Sequence, residues 1–278
     1  DTVRRQRQMC IRDSHNTVSK IYKKKKFGQN FLSDEFILSS LVNFVRPSSK
    51  DLFLEIGPGS GNLTEMFTGI SKKFTAIEFD RDLIDLLKEK FKKEQNLEII
   101  NKNILDIDLN DFASKDNKIR LVGNLPYNMS SPILDWCFKN IHLIKDMHFM
   151  FQKEFAHRCA GNKNTKSYGK LSVICNYFCE VKILTDIDKS YFDPVPKVDS
   201  TFLKFEPKIN ETNEKELNSL NILLNKLFNK KRKKILKTLK ELFSEEELSK
   251  LSIDFNLRPD QLSLEDYISL TKLNFKNG

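Results

Sequence analysis

From residue 23 onward, short apolar runs alternate with helical patterns. Leu52, Phe53, Leu54 and Ile56 make a nearly continuous apolar stretch of strand length. Strands of a parallel sheet are covered on both faces and read this way. Comparable runs lie at 74–78, 97–101, 119–123, 147–151 and 201–205, the last ending at Pro207. Phe36, Ile37, Leu41, Val42 and Val45 recur at helical spacing behind Ser33 and Asp34, both good N-caps, with Pro47 just beyond. Residues 62–67 and 83–91 also read as helices. Such alternation predicts βαβ units on a parallel sheet and therefore an α/β fold.

After Pro207 the pattern changes. Residues 217–228, 232–243 and 246–251 read as helices with no strand between them, so a small all-α C-terminal domain over 208–278 is expected behind an α/β domain over 23–207. The first 22 residues have no apolar period and mix Arg4, Arg5, Arg7 and Arg12 with Asp1 and Asp13. They read as an appended extension. A chain of 278 residues suits one large and one small domain.

Composition narrows the classes. With 39% hydrophobic and 31% charged residues the chain is not a disordered tail. Its 47 Lys+Arg against 38 Asp+Glu leave a net charge of +9, which points to an anionic partner. No run approaches the roughly 18 to 20 apolar residues needed to cross a bilayer, and the first thirty residues lack an apolar signal core, so a cytoplasmic protein is expected. The five cysteines, Cys10, Cys137, Cys159, Cys175 and Cys179, contain no C-x-x-C pair and read as reduced thiols. Cys175 and Cys179, beside Val173, Ile174 and Phe178, read as one buried helical face rather than metal ligands, and no metal site is predicted. Lys230, Lys231, Arg232, Lys233 and Lys234, with Lys237 and Lys240, form a dense basic stripe on the helix expected there. With Lys23 to Lys26 it fits a surface that tracks phosphates.

Candidate chemistry sits at predicted strand ends. Glu55-Ile56-Gly57-Pro58-Gly59-Ser60-Gly61 follows a buried strand and precedes a helix. Glycines there let backbone approach a ligand closely and leave helix amides exposed. Glu78 ends the next strand about 20 residues later, where an acidic side chain accepts both hydroxyls of a bound ribose. Asn103, past the third strand, stands where a side-chain amide reads an adenine edge. Gly123-Asn124-Leu125-Pro126-Tyr127-Asn128 closes the fourth strand. An exocyclic amine on an aromatic ring is a poor nucleophile because its lone pair is delocalised. The Asn124 oxygen and the Leu125 carbonyl, stiffened by Pro126, are placed to accept both N–H bonds and favour a tetrahedral nitrogen, while Tyr127 stacks on an extruded base.

With these residues assembled, the chain resembles the S-adenosylmethionine-dependent methyltransferases carrying an N-[LIP]-P-[YF] motif, and within them the bacterial small-subunit rRNA adenine N6,N6-dimethyltransferase family. The resemblance runs from about Lys23 to the C-terminus. It rests on Phe27 to Leu32, Glu55 to Thr64, Asn124 to Tyr127, Met147 to Lys153, Ser167 to Val173 and Phe192 to Ser200 with its Pro196-Lys197-Val198-Asp199. It implies a Rossmann-like seven-stranded methyltransferase sheet with a helical RNA-binding C-terminal domain. The implied activity is dimethylation of two adjacent adenosines in the 3′-terminal hairpin of small-subunit (16S) rRNA, within the immature 30S subunit, by a monomer needing no metal or membrane. It places the S-adenosyl-L-methionine contacts on Gln29, Asn30, Leu32, Gly57, Gly59, Glu78, Asn103 and Asn124. The target-adenine contacts fall on Asn124, Leu125, Pro126 and Tyr127, with Phe192 as a second stacking face.

One position departs from the family, which commonly has Asp where this chain has Asn103. The amide loses the charge assistance that roughly doubles such a hydrogen bond, so weaker cofactor affinity is expected. Asp106 is the alternative partner. Three rivals share parts of the pattern: large-subunit rRNA methyltransferases of the antibiotic-resistance type, glutamine or DNA-adenine methyltransferases, and a non-catalytic ribosome-assembly factor on the same fold. The proline motif at 196–199 with Ser167-Tyr168-Gly169 favours the small-subunit group.

Overall fold

A computed structural model describes residues 30–208 and 213–275. The chain enters through a two-residue strand β1 (Phe31–Leu32) and the helix α1 (Glu35–Val45), whose N-cap Asp34 accepts the Ile37 N–H at 2.9 Å. The apolar runs then form β2 (Leu52–Ile56), β3 (Lys73–Glu78), β4 (Leu97–Asn101), β5 (Ile119–Asn124) and β6 (Ile144–Gln152). Helices α2 (Asn62–Thr68), α3 (Arg81–Lys90) and α4 (Ser130–Lys139) separate them. After α5 (Lys153–Cys159) and α6 (Lys170–Phe178) come β7 (Cys179–Ile187), β8 (Phe192–Asp193) and β9 (Ser200–Pro207).

Seven strands form one sheet in the order β4-β3-β2-β5-β6-β9-β7, and β1 pairs with β8 in a separate two-stranded ribbon. β4, β3, β2, β5 and β6 run parallel, and β9 is antiparallel to both β6 and β7. The fold is thus the expected α/β class with a seven-stranded, mostly parallel sheet. Its order reverses between β2 and β5, which opens a crevice at the carboxyl ends of the central strands.

Apolar side chains fill both faces. On one, Phe53, Phe67 and Phe74 pack ring to ring at 5.2 to 6.0 Å beneath α1 and α2. On the other, a single continuous cluster joins the sheet, α4 to α6 and the C-terminal helices α7 (Glu214–Phe228), α8 (Ile235–Leu242), α9 (Glu245–Ser249) and α10 (Leu264–Thr271). The buried Tyr168 hydroxyl donates to the Leu262 carbonyl at 3.0 Å across that junction. The helical segment is therefore anchored to the sheet side through shared core.

Two local expectations are corrected. Cys175 and Cys179 do not share a helix, because α6 ends at Phe178 and Cys179 begins β7. Both remain buried, so apolar burial imitated helical spacing across a helix-to-strand change. The helix expected from Arg232 starts only at Ile235, so the basic residues 232–234 are not helical. A five-residue run of like charge repels itself in a helix, where side chains three and four apart face each other. Several of its cations have internal partners: Lys230 with Glu241, Lys231 with the Tyr168 carbonyl, Lys234 with Asn256 and Lys240 with Glu245. Arg232, Lys233 and Lys237 are exposed. Residues 1–29, including Lys23 to Lys26 and Cys10, lie outside the described residues.

Candidate active site

The crevice at the strand reversal holds a cavity of about 380 Å³. Its base is the turn after β2, where Gly57 and Glu55 meet Glu78 from β3. Gly57 adopts φ 68°, a left-handed conformation natural to glycine, and a Cβ there would meet no described residue within 4 Å. Bare backbone therefore borders open space. Gly59 also has positive φ, but a Cβ there would lie 2.4 Å from a Phe31 ring carbon. Phe31 thus packs directly against the glycine turn, and any side chain at Gly59 would displace it.

Two carboxylates are buried beside this turn. Glu78, 2% exposed, accepts the Gly59 N–H at 3.1 Å on one oxygen and the Asp80 N–H at 2.9 Å on the other. Burial pushes its pKa up and outweighs those backbone donors. Glu55, 1% exposed, takes a short hydrogen bond from the Thr64 hydroxyl. Burial, opposed by Thr64 and reinforced by the charge of Glu78, raises its pKa to about 8. Glu55 is thus mostly protonated at neutral pH.

At the rim, Asn101 donates from Nδ2 to the Glu78 and Phe79 carbonyls at 2.9 and 3.2 Å, fixing the turn that presents the exposed Phe79 to the cavity. Asn103 lines the cavity too, but its Oδ1 already accepts the Leu105 N–H at 3.1 Å as the cap of a single 3₁₀ turn. Asp106 does not line the cavity.

The opposite wall is the loop after β5. Asn124 donates from Nδ2 to the Asn30 carbonyl at 2.8 Å, which fixes the amide orientation and leaves Oδ1 as the end available to accept. The Leu125 N–H binds the Met150 carbonyl at 3.3 Å, and Pro126 sits at φ −58°. The Tyr127 hydroxyl lies 3.3 Å from Ser200 Oγ.

The cavity thus brings together Asn30, Leu32, Gly57, Gly59, Glu78, Asn103, Asn124, Leu125, Pro126 and Tyr127. Gln29 lies outside the described residues. Phe192 is corrected: it is 2% exposed, pairs with Leu32 across the β1–β8 ribbon, packs in the sheet core and does not line the cavity. A ring held by that core presents no face to a base. Sequence reasoning missed Phe31, Glu55, Asn62 and Phe79 as cavity residues. Glu55 heads the glycine motif, but within that motif only the glycines carry an expected ligand contact, and the signal that marks Glu55 is an acid at the end of a buried strand.

Comparison with known proteins agrees with this geometry. The ribosomal RNA small subunit methyltransferase A of Colwellia psychrerythraea is 39% identical over 248 residues, covering 89% of this chain and 82% of that protein. Its namesake from Coxiella burnetii is 35% identical over 257 residues, covering 92% and 99%. Among solved structures, a dimethyladenosine transferase from Plasmodium falciparum superposes with a TM-score of 0.73 at 27% identity, covering 86% of this chain and 95% of that one. Residues 21–275 match the family described as ribosomal RNA adenine dimethylase, and with that match spanning nearly the whole chain, the protein belongs to that family.

Proposed function

We infer that the protein transfers methyl groups from S-adenosylmethionine to N6 of two adjacent adenosines in the 3′-terminal hairpin of small-subunit (16S) rRNA, giving N6,N6-dimethyladenosine. The observation that supports this most directly is the sharing of one cavity by the glycine turn with its two buried carboxylates and by the Asn124–Tyr127 loop. The first suits a cationic nucleoside, the second a planar amine.

The residues present fit the cofactor. About 380 Å³ falls within the usual range for a small-molecule site. The open space over Gly57 admits a ligand against backbone, and a cation bound there favours the ionised forms of the two buried acids beside it. Glu78 takes backbone N–H donors from Gly59, Asp80 and Phe79 against about four lone-pair directions, which leaves acceptor capacity for a ribose hydroxyl. Phe79 offers an apolar face to the adenine, and Asn103 keeps its amide N–H₂ and a second lone pair for the adenine edge. When bound, S-adenosylmethionine supplies a methyl group activated by its sulfonium centre.

The remaining work falls to the chain. Asn124 Oδ1 and the Leu125 carbonyl accept the two N–H bonds of the target amine, favouring a tetrahedral nitrogen whose lone pair is localised. Pro126 limits the loop's freedom, and Tyr127, its hydroxyl held near Ser200, stacks on the extruded base. Methylated N6 is cationic and releases its proton to water. Catalysis is by positioning and charge placement.

We further propose that the substrate is the immature 30S subunit and that the protein acts as a cytoplasmic monomer, with residues 208–278 forming the RNA-binding domain. Exposed Arg232, Lys233 and Lys237 support the last assignment. No described helix is long and apolar enough to cross a membrane. The test is incubation with undermethylated small subunits and labelled cofactor, followed by nucleoside analysis. Label in dimethyladenosine of 16S rRNA is expected. Label confined to 23S rRNA, or binding without any label, overturns the reading.

A further inference from the structure

A second concavity, of about 1290 Å³, opens beside the cavity, and Tyr127 lines both. Helix α4 leaves the Tyr127 turn directly, and its Ser131, Leu134 and Asp135 line this groove. Phe155 and Arg158 of α5 line it too, and the start of α5 is tied to the same place. Gln152 pairs with Ser200, whose Oγ lies 3.3 Å from the Tyr127 hydroxyl. Leu171 and Ile174 of α6 and Leu217 of α7 complete an apolar strip. Phe155 is half-buried, and the fully buried Phe151 ring, 5.1 Å away, holds it against the core. The cations Lys115, Lys139, Arg158 and Lys170 outnumber the acids Asp135 and Glu214, and Arg158 is exposed. An aromatic face beside a cationic rim suits single-stranded RNA, because the ring takes a base while the cations follow the backbone.

We propose that this groove seats the nucleotide next to the target adenosine, with its base stacked on Phe155 and its phosphate near Arg158. The proposal rests on the functional reading above. Once the target base leaves its stack, the base one phosphodiester step away has lost a stacking partner. A groove that begins at Tyr127 and carries its own ring supplies a replacement. Since the two target adenosines are adjacent, one of them occupies the groove in one of the two registers that bring the other into the cavity. The apolar strip suits that occupant after reaction as well, because N6,N6-dimethyladenine has no amine N–H left to satisfy.

Binding of the full-length protein to undermethylated small subunits, with S-adenosylhomocysteine present, tests the groove without requiring turnover. Phe155→Leu keeps an apolar side chain against Phe151 and removes only the ring. It is expected to weaken binding about 5- to 30-fold, whereas Phe155→Trp should stay within about 2-fold of the parent. In methylation assays the loss should appear in KM with kcat within about 2-fold, because a non-reacting base stacks alike in ground and transition states. Arg158→Gln should weaken binding and reduce the slope of log affinity against log salt by about 1. The affinity of each variant for S-adenosylhomocysteine alone should match the parent's. On subunits reconstituted with rRNA in which one or the other target adenosine is replaced by uridine, the Phe155→Leu penalty should shrink for one of the two. Parent-like binding by folded Phe155→Leu, or an equal penalty on all three kinds of subunit, overturns the groove assignment. Should Phe155→Leu fold poorly, exposed Arg158 decides, and an unchanged salt slope for Arg158→Gln overturns it. Absence of methyl transfer by the parent protein overturns the functional reading instead, and the binding measurements still decide the groove.

Discussion

Strand β5 places two polar residues four positions apart, and the two ends of the sheet treat them in opposite ways. At the amino end, Arg120 is 5% exposed, yet every guanidinium donor is used: two on Asp146, one on Asp51, and one each on the Val45 and Arg46 carbonyls, all between 2.7 and 3.2 Å. Lys145 adds a second cation to Asp51 at 2.8 Å, and the Asp51 carboxyl is held below its usual range by these partners against the cost of burial. At the carboxyl end, Asn124 keeps an acceptor in reserve, and Glu55 and Glu78 are buried with hydroxyl and backbone donors but, among the described residues, no cation in hydrogen-bond contact. The pKa values follow: lowered for Asp51, raised for Glu55 and Glu78. A buried polar group that serves stability is saturated by its own protein. One that serves a ligand is left short of what the ligand brings.

Substitutions at the two ends should therefore separate stability from activity. The largest effect is expected for Arg120→Ala, which deprives buried Asp146 of its cation and leaves Asp51 with Lys145 alone, and should cost about 3 to 5 kcal/mol in denaturant unfolding. Turnover per folded molecule should hardly change at low temperature. Asn124→Ala should do the reverse, lowering turnover about 10²- to 10³-fold, as for loss of one preorganised hydrogen-bonding partner, with stability within about 0.5 kcal/mol of the parent. If Asn124→Ala unfolds the protein as Arg120→Ala does, the contrast between the ends collapses.

Tyr127→Ala comes next. Loss of base stacking should weaken the transition state by about 1 to 3 kcal/mol, read as kcat/KM on undermethylated subunits. The Tyr127 hydroxyl makes one long, part-buried contact, to Ser200 at 3.3 Å, so the unfolding midpoint should stay near the parent value. Near-normal turnover would remove Tyr127 from the site.

What the sequence revealed follows the same division. The strands from β2 to β6 were legible because burial on both faces forces apolar runs, and the glycine turn and Asn124 loop because their residues are contiguous at strand ends. β7 was not, since this edge strand exposes Glu180, Lys182 and Ile183 and keeps little apolar period beyond Cys179. Phe192 was misread because what buries it is pairing with Leu32, 160 positions away in the chain. The hydrogen bonds from Asn62 to the Leu32 carbonyl and from Asn124 to the Asn30 carbonyl span 30 and 94 positions and follow no local rule. Local chemistry is written locally, and the contacts that orient it are made by the fold.

The smallest effect concerns Glu55, and its sign distinguishes the two ends most sharply. Its pKa of about 8 in the fold lies above its ordinary value of 4.5, so between those values the folded state binds more protons than the unfolded. Its contribution to stability is thus most favourable below pH 4.5 and declines as pH rises toward 8, the opposite of Asp51, whose lowered pKa favours the fold above the ordinary carboxylate range. A cation entering the cavity favours ionised Glu55. Binding of S-adenosylmethionine should therefore release a proton and tighten by up to about tenfold between pH 6 and 8, the equivalent of one pKa unit of interaction. S-adenosylhomocysteine, which lacks the sulfonium charge, should show a weaker dependence, and Glu55→Gln should flatten both while raising stability at pH 8. Calorimetric titration in two buffers of different ionisation enthalpy reads the proton directly. Equal pH profiles for the two ligands would mean that the sulfonium charge is not felt at Glu55 and that its burial serves the fold after all.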